Sequence, residues 1–559
     1  MLAMVSSASL TGAEGRPVVV EVHSAGGFPS FSIVGLPDAS CREARDRARA
    51  AIVSSGFRWP QQRVTVNLAP SGLRKAGSGL DLAIALGVLA SSGQVRAEDL
   101  SGTAFIAELG LDGSLRKVPG VLPLIGALSC AGRRRGASVG GSFAAGAAGP
   151  CGQVLRVVVP PACAHEAGLL GSVEVQAVAS LRELVEVLAG RQPWPALPPA
   201  PAPPAGPQEP DLADVRGQAF GRHALEVAAA GGHHLLMVGP AGAGKTMLAT
   251  RLVGLLPDLS AEEALEVAMV HSAAGIDLTA QGLSRRPPFR APHHSASATS
   301  LVGGGGARLR PGEVSCAHLG VLFLDELAEF SGAVLDNLRQ PLEEGRAVVC
   351  RASATVEFPA RFLLVAAMNA CRCGADGSPG SCRCPPAERA RYLGRVSGPL
   401  LDRFDLRVRV RRPEAAGLLG LGADGSNAGR TGEEAEPSFV VAARVRQARE
   451  RARDRGVRAN AELAPSALSE FAPLSAGAKR LLERRLSEGR LSARGVDKLR
   501  RVGLTLADLA GEEGPLTDEH LQMALLLREP CLFREWRAQD GNWGAHPYGA
   551  PEANSGVRA

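Results

Sequence analysis

The sequence lacks any long hydrophobic run. No apolar stretch approaches the roughly 20 residues that a helix needs to cross a bilayer. Residues 1–15, MLAMVSSASLTGAEG, have neither the cationic start nor the long apolar core of a secretion signal. These absences predict a soluble, cytoplasmic protein with no membrane partner.

The sequence also has few cysteines, a small net charge and no evident repeats. The 559-residue chain has 11 cysteines, too few for a disulfide scaffold, and in the cytosol they would be reduced. The net charge of +6 is a weak basic bias, compatible with nucleic acid but not diagnostic of it. No solenoid repeat is visible. With 45% hydrophobic residues, the chain can form several packed cores. At about 150 residues per domain, three to four units are expected.

Proline and glycine mark the boundaries of these units. Segment 191–210 contains QPWPALPPAPAPPAGPQEP, which cannot form a helix or a central strand. It predicts a semi-rigid linker after an N-terminal unit of residues 1–190. Loose insertions are predicted at 132–150 and 413–437, and a disordered tail at 538–559.

The hydrophobic patterns predict an α/β protein. In the N-terminal unit, RPVVVEVHS and RVTVNLAP are typical of strands, whereas SCREARDRARAAIVSSG and LDLAIALGVLASSG are typical of helices, which indicates an α+β unit. Across 211–412, short apolar strands alternate with helices, which predicts a parallel sheet covered on both faces. Residues 438–537 are predicted to be helical, with Thr517 capping a helix over LTDEHLQMALLLRE.

Residues 239–246 match the phosphate-binding motif G-x-x-x-x-G-K-[S/T]. The motif follows the strand-like run LLMV and precedes a helical pattern, which disfavours a chance glycine loop. Its glycines let backbone N–H groups wrap phosphates, Lys245 would reach the β- and γ-phosphates, and Thr246 would hold Mg²⁺. ATP and Mg²⁺ are therefore the expected cofactors. The predicted loop comprises Gly239, Pro240, Ala241, Gly242, Ala243, Gly244, Lys245 and Thr246.

Two further apolar strands end in polar residues. VLFL is followed by Asp325 and Glu326. Asp325 suits a direct or water-mediated Mg²⁺ role, and Glu326 suits the base that orients the attacking water. FLLVAAM ends at Asn369, which could position the same water; the alternative is an asparagine that merely starts a turn.

Long segments around these motifs resemble the magnesium-chelatase-like subfamily of AAA+ ATPases, specifically its bacterial YifB/ComM branch. They are residues 211–246, 288–330 and 391–406. The resemblance covers nearly the whole chain and weakens in the two insertions and the tail. It implies an AAA+ core over 211–412, a helical lid over 438–537 and a homohexameric ring.

The resemblance also implies roles for individual residues. Arg403 in LLDRFDL matches the arginine finger, which reaches the γ-phosphate of the neighbouring subunit and would stabilise transition-state charge. Arg494 in LSARG matches the second sensor arginine, which would contact nucleotide. A surface ion pair is the alternative for either arginine. RAVVCRASATVEF, residues 346–358, predicts two short strands about a turn, and the resembling ATPases place a pore hairpin there. Arg351 near its tip could contact DNA phosphates.

Two sets of metal-ligand residue types occur in this part of the chain. Four cysteines, within residues 371–384, could close a tetrahedral Zn²⁺ site. Their C-x-C spacing is not the usual C-x-x-C, so exposed reduced thiols are the alternative. The pair His293 and His294, with glycines 303–306 after it, matches a family insertion; hydrogen-bonding or pore roles are favoured over a metal there. The four cysteines are Cys371, Cys373, Cys382 and Cys384.

The N-terminal unit resembles the Lon-protease-like fold that ribosomal protein S5 shares, on the segment RVTVNLAPSGLRKAGSGLDLAIALGVLA. That resemblance raises ATP-driven proteolysis by a serine–lysine pair. However, Ser78 does not stand where the nucleophile should, and Leu122 occupies the lysine position. Serine has no base without that lysine. We expect a non-proteolytic module for a protein partner or substrate entry.

Three uses of ATP remain open. The YifB/ComM family is associated with DNA branch migration during natural transformation. The hairpin, the arginine-rich segment VAARVRQARERARDRG and the weak positive charge fit such a motor on single-stranded or branched DNA, although that segment also fits an ordinary solvated face. A chelatase-type metal-insertion motor would need a porphyrin site, and none is visible. A Lon-like protease or a protein-remodelling factor is the third candidate. The DNA motor is favoured.

Overall fold

The computed structural model describes residues 1–72, 75, 77–133, 154–199, 210–278, 282–305, 309–351, 354–375, 382–412, 436–489 and 491–528. Half of the predicted linker (200–209), nearly all of the two predicted insertions, the predicted tail and Gly306 lie outside these residues. Among the helices in the described ranges, none combines the length and hydropathy needed to span a membrane.

The N-terminal unit is built on a seven-stranded mixed sheet in the order β3-β4-β2-β1-β5-β8-β9. Long antiparallel pairing joins β1 to β2 and β2 to β4, and the remaining neighbours are parallel. The strands are β1 (Leu2–Thr11), β2 (Glu14–Ala25), β3 (Ser30–Val34), β4 (Arg63–Ala69), β5 (Thr103–Phe105), the small ribbon β6 (Glu108–Leu109) and β7 (Leu115–Arg116), β8 (Arg156–Val159) and β9 (Glu174–Ala177). The helices are α1 (Ala39–Ser54), α2 (Asp81–Ser91), α3 (Val121–Arg133), α4 (Ala164–Gly168) and α5 (Leu181–Leu188).

Both faces of this sheet are buried. Its side chains alternate between the two faces, and helices cover each face. Val5 and Val20 face α1 and α2, whereas Ala8 and Leu10 face α3. All four predicted elements of this unit are present: the two valine-rich strands are β2 and β4, and the two helices are α1 and α2. Asp38 caps α1 by accepting a hydrogen bond from the Cys41 N–H at 2.7 Å.

The second unit contains the predicted parallel sheet, in the order β11-β14-β17-β10-β18. Its strands are β10 (Leu235–Val238), β11 (Phe289–Arg290), β14 (Val321–Leu324), β17 (Leu363–Met368) and β18 (Leu406–Arg409). Two ribbons flank it: β12 (Gly303–Gly304) with β13 (Arg310–Pro311), and β15 (Arg346–Arg351) with β16 (Ala354–Pro359). Its helices are α6 (Ala219–Gly231), α7 (Lys245–Arg251), α8 (Ala261–Ala274), α9 (Ala298–Val302), α10 (Glu313–Cys316), α11 (Gly332–Asp336), α12 (Arg339–Glu344), α13 (Pro386–Leu393) and α14 (Gly398–Leu401).

Strand β10 lies between β17 and β18, and all four of its residues are buried. Leu235 and Met237 pack into one hydrophobic core, and Leu236 and Val238 into the core on the opposite face. The carboxyl ends of β10, β14 and β17 therefore share one edge of the sheet. This is where a doubly covered parallel sheet binds its ligands.

The described residues from 436 to 528 are mainly helical, as predicted, and residues 529–537 of the predicted range lie outside the described part of the chain. The helices are α15 (Ser438–Asp454), α16 (Leu468–Phe471), α17 (Ala476–Ser487), α18 (Ala493–Ala510) and α19 (Asp518–Leu526). Thr517 caps α19 by accepting from the His520 N–H. Val441, Val445 and Ala448 of α15 pack into the core beside β10, so the helical region covers one face of the ATPase sheet.

The two α/β units contact each other through α3 and α8. Leu122 is fully buried against Ala268 and Leu278, and its N–H donates to Ser272 Oγ at 3.3 Å. Lys117 and Asp277 form an ion pair of 3.4 Å at the edge of this contact. The predicted protease lysine position is therefore occupied by a residue that packs between the units.

Candidate nucleotide site

The phosphate loop leaves the buried strand β10 and enters α7, as its motif predicts. Gly242 and Gly244 have φ of +74° and +87°, a conformation that favours glycine. A Cβ on Gly239 would overlap the Val410 carbonyl oxygen, so only glycine fits there. Within the described residues, the amides of Gly242, Gly244, Lys245 and Thr246 have no hydrogen-bond acceptor. Such a row of unpaired N–H groups fits an anionic phosphate.

Lys245 is held inside the loop. Its Nζ donates to the carbonyl oxygens of Gly239 at 2.9 Å and Pro240 at 2.8 Å, and to Asn369 Oδ1 at 3.1 Å. Burial lowers the pKa of Lys245, while the charges of Asp325 and Glu326 oppose that shift. The structure thus brings together two predicted residues: Lys245, at the end of the loop that follows β10, and Asn369, directly after the neighbouring strand β17.

The acidic pair stands on the other side of the loop. Thr246 Oγ1 donates to Asp325 Oδ2 at 2.6 Å, which places two oxygen ligands suited to Mg²⁺ side by side. Glu326 has a left-handed backbone with φ of +52°, which is costly for a residue with a side chain. Its carboxylate is about half exposed and lies 3.2 Å from His294 Nδ1. The donor set therefore fits a nucleotide with Mg²⁺, and the glutamate remains accessible to water.

Arg403 follows α14. Within this single chain it pairs with the Glu343 carboxylate. Burial lowers the pKa of Arg403, and the charges of Arg494 and Arg339 lower it further. Arg494 is exposed in the first turn of α18, close enough for its charge to act on Arg403. The two predicted arginines are thus electrostatic neighbours, and their predicted contacts with nucleotide stay predictions.

A largely buried lysine, Lys498, connects the helical region with the turn that carries Arg403. Lys498 of α18 donates to the carbonyl oxygens of Asp402 at 2.5 Å and Arg403 at 3.0 Å, and pairs with Asp405 Oδ1 at 2.8 Å. Although burial by itself raises the pKa of Asp405, His233 and Lys498 bring it well below its usual range. Sequence reasoning missed Lys498, because no motif spacing marks it. It favoured a hydrogen-bonding or pore role for His294 but did not predict Glu326 as its partner, which only the fold brings near.

The predicted hairpin is present as β15 and β16, with Arg351 exposed at its tip. At its base, Arg346 is neutralised by Glu344 at 3.1 Å and Glu357 at 2.9 Å. The Arg351 guanidinium lies near Gly304, where an added Cβ would be 3.6 Å from Nη2. The tip therefore presents a cation with no carboxylate partner in the described part of the chain.

The arginine-rich segment, residues 441–456, is largely engaged within the chain. Arg444 pairs with Glu226 at 2.6 Å and Glu436 at 2.7 Å. Arg455 binds Asp508 at 2.5 Å. Arg449 and Arg451 donate to the backbone carbonyls of Ala229 and Asp508 respectively. These arginines pack the helical region, so the segment gives little support to a DNA contact.

Ser78 and its surroundings do not form a serine–lysine pair in the described residues. Its Oγ donates to the Glu108 carboxylate. The buried Lys75 donates instead to the Pro70 carbonyl oxygen. The two side chains therefore have separate partners, and the expectation that this unit is non-proteolytic stays a prediction.

Three models of one protein family match the chain. The model for magnesium chelatase, subunit ChlI, matches residues 211–418. A second ChlI model matches 20–135, and the ChlI C-terminal model matches 435–528. Competence protein ComM of Haemophilus influenzae is 40% identical over 528 residues, which cover 94% of this chain and 97% of ComM. The chain belongs to the magnesium-chelatase-like AAA+ family, in its YifB/ComM branch.

Two further similar proteins have names that state no function. The uncharacterized protein YifB of Escherichia coli is 40% identical over 527 residues, covering 94% of this chain and 97% of YifB. The uncharacterized protein Rv2897c of Mycobacterium tuberculosis is 44% identical over 524 residues, covering 92% of this chain and 96% of Rv2897c. Membership of the family supports an ATPase motor. The predicted resemblance is confirmed, and so is the predicted fold class.

Proposed function

We propose that this protein is an ATP-hydrolysing ring motor that moves along single-stranded or branched DNA and promotes branch migration in recombination or natural transformation. The phosphate loop with its unpaired amides, beside the Thr246–Asp325 pair, carries the ATPase part of the proposal. The DNA part is supported by the similarity to competence protein ComM and by the exposed Arg351.

Each residue of the site has a defined task in hydrolysis. The loop amides and Lys245 bind the phosphates, and Thr246 and Asp325 would hold Mg²⁺, which neutralises phosphate charge when bound. Glu326 accepts a proton from the attacking water. Asn369 would orient that water. Its Oδ1 accepts from Lys245 Nζ at 3.1 Å, which places the Asn369 side chain beside the phosphate loop.

The last catalytic group, an arginine, comes from a neighbouring subunit of the proposed homohexameric ring. In the proposed assembly Arg403 of one subunit leaves Glu343 and stabilises transition-state charge at the neighbour's site, with Arg494 beside it. The Glu343 carboxylate is about half exposed, so water competes for its side of the pair, which suits this exchange. The protein is proposed to work in the cytoplasm, and the N-terminal unit to receive a protein partner.

ATPase stimulation by DNA tests the proposal. Steady-state ATPase of the full chain is measured without DNA and with single-stranded, duplex, forked and four-way-junction DNA, at two salt concentrations. Several-fold stimulation that falls with salt supports a DNA motor, and the best DNA identifies the substrate.

Arg351→Ala tests the hairpin. It should reduce the stimulation and flatten its salt dependence, by about 0.7 in the log–log slope for each single-strand phosphate that the arginine no longer neutralises. Arg346→Ala is the matched control, because Arg346 already has two carboxylate partners in the same hairpin. Absence of stimulation by any DNA would refute the DNA role and favour protein remodelling.

A further inference from the structure

The four cysteines meet at one point beside the phosphate loop. Cys371 and Cys373 follow β17, Cys382 and Cys384 precede α13, and all four Sγ atoms lie within 4.8 Å of one another. Cys382 Sγ is 3.2 Å from Cys371 Sγ and 3.5 Å from Cys373 Sγ. A disulfide needs about 2.05 Å, so these are free thiols. Thiolates around one tetrahedral ion, each at about 2.3 Å, stand about 3.8 Å apart.

These distances favour one metal ion over a metal cluster. Several irons in a cluster would hold their four thiolates further apart than a single ion does. A closed set of four sulfur ligands from one short stretch of chain matches a structural site, with no open position for substrate. A single tetrahedral ion therefore fits the observed spacing, and Zn²⁺ is the ion that closed structural sites of four cysteines usually hold.

The turn that carries the first two cysteines also supports the phosphate loop. Gly374 N–H donates to the Cys371 carbonyl oxygen at 2.9 Å, and the Gly374 carbonyl oxygen accepts from the Ala241 N–H at 2.9 Å. Gly374 has φ of +78°, and a Cβ there would lie 3.2 Å from Ala241 Cβ. One hydrogen-bonded turn thus connects the cysteines with the first half of the loop.

We propose that Cys371, Cys373, Cys382 and Cys384 bind one Zn²⁺, and that the bound ion holds Gly374 against Ala241 and so fixes the shape of the phosphate loop. The second part rests on the proposed nucleotide role of residues 239–246. Asp325 and Glu326 stand on the other side of the loop, where Thr246 contacts Asp325. Loss of the metal should therefore weaken ATP binding and raise KM while kcat changes much less.

Metal analysis of the purified full chain tests the first part. Wild type and Cys350→Ser should each carry about one zinc per chain, and Cys382→Ser little or none. Cys350 is the matched control, because it is exposed on the β15–β16 hairpin and lies outside the cluster. Absence of zinc in wild type purified without chelator and then incubated with Zn²⁺ would overturn the site, and so would iron in its place.

ATP binding tests the coupling, with a fluorescent ATP analogue as the probe. Cys382→Ser should bind it about five- to tenfold more weakly, the effect of losing one hydrogen bond that orders the loop. Gly374→Ala keeps all four thiols but crowds Ala241, so it should retain zinc and still bind the analogue more weakly.

Three outcomes separate the claims. Unchanged affinity in a zinc-free, folded Cys382→Ser would overturn the coupling, as would wild-type affinity in Gly374→Ala. A wild type that holds zinc but binds no ATP would refute the proposed nucleotide site and the coupling, while the zinc site would stand.

Discussion

Replacement of Lys498 by methionine should separate the stability of the helical region from the positioning of Arg403. The change removes a donor with three acceptors, and among the described ion-pair partners of the buried Asp405 carboxylate it leaves His233, whose Nδ1 lies 3.6 Å from Oδ2. Removing one partner of a buried ion pair costs about 3–5 kcal/mol. We expect about 3 kcal/mol here, the lower end of that range, because the Asp405 carboxylate keeps its contact with the His233 ring.

The effect on catalysis has a different cause. Two of the three acceptors are the carbonyl oxygens of Asp402 and Arg403, so the variant also loosens the turn that presents Arg403. A displacement of about 1 Å in a catalytic group costs on the order of 10²-fold in rate. The kcat for ATP should therefore fall about ten- to hundredfold at temperatures where the protein stays folded.

Urea midpoints and steady-state ATPase of the full chain measure the two effects. The double variant Lys498→Met/Asp405→Asn should recover most of the stability, because no buried charge remains unpaired, yet its kcat should stay low. Lys479→Met on α17 is the control, since Lys479 is exposed, and it should change stability by less than about 0.5 kcal/mol. If Lys498→Met behaves like Lys479→Met, or if the double variant is no more stable than the single one, the reasoning fails.

The pH dependence follows from Asp405. Its folded-state pKa lies below the unfolded value of about 3.9. The pair therefore stabilises the folded state above that pH, and its contribution is lost as the pH falls through the folded pKa. The stability difference between wild type and Lys498→Met should be widest near pH 7 and should narrow in acid.

Three further predictions concern the other sites. Lys245→Ala removes the three hydrogen bonds of the ammonium group and should abolish ATPase activity; retained activity would contradict the assignment of the loop. Glu326→Gln should bind the ATP analogue normally but lose at least about 10²-fold in kcat, because an amide cannot accept the proton of water. Glu329→Gln is its control, since Glu329 is paired with Arg395. Wild type should not degrade casein with ATP; a degradation that Ser78→Ala abolishes would restore the protease hypothesis.

Much of the site could be predicted because its residues lie in short, ordered motifs. The loop from Gly239 to Thr246 needs glycines at fixed spacing, and Asp325 and Asn369 follow apolar strands directly. Carboxyl ends of parallel strands meet at one edge, so sequence order already implied proximity. The β15–β16 hairpin was predicted for a similar local reason, the alternation of two short strands about a turn.

Contacts between distant segments could not be predicted in this way. His294 reaches Glu326, and Lys498 reaches the Arg403 turn, only after the sheet and the helical region have packed. The arginines of 441–456 illustrate the same limit: as a sequence they suit DNA, but in the fold Glu226 and Asp508 bind two of them.

The sequence by itself determined the nucleotide loop, its acidic partner strand and the family, since local spacing fixes each of them. Only the tertiary structure decided which charges are available. It paired Arg346 and Arg444 each with a carboxylate and left Arg351 exposed. It also placed the turn that carries Cys371 and Cys373 against Ala241. The physical reason is that a side chain's charge and hydrogen bonds act over a few ångströms, and those neighbours come from segments far apart in the chain.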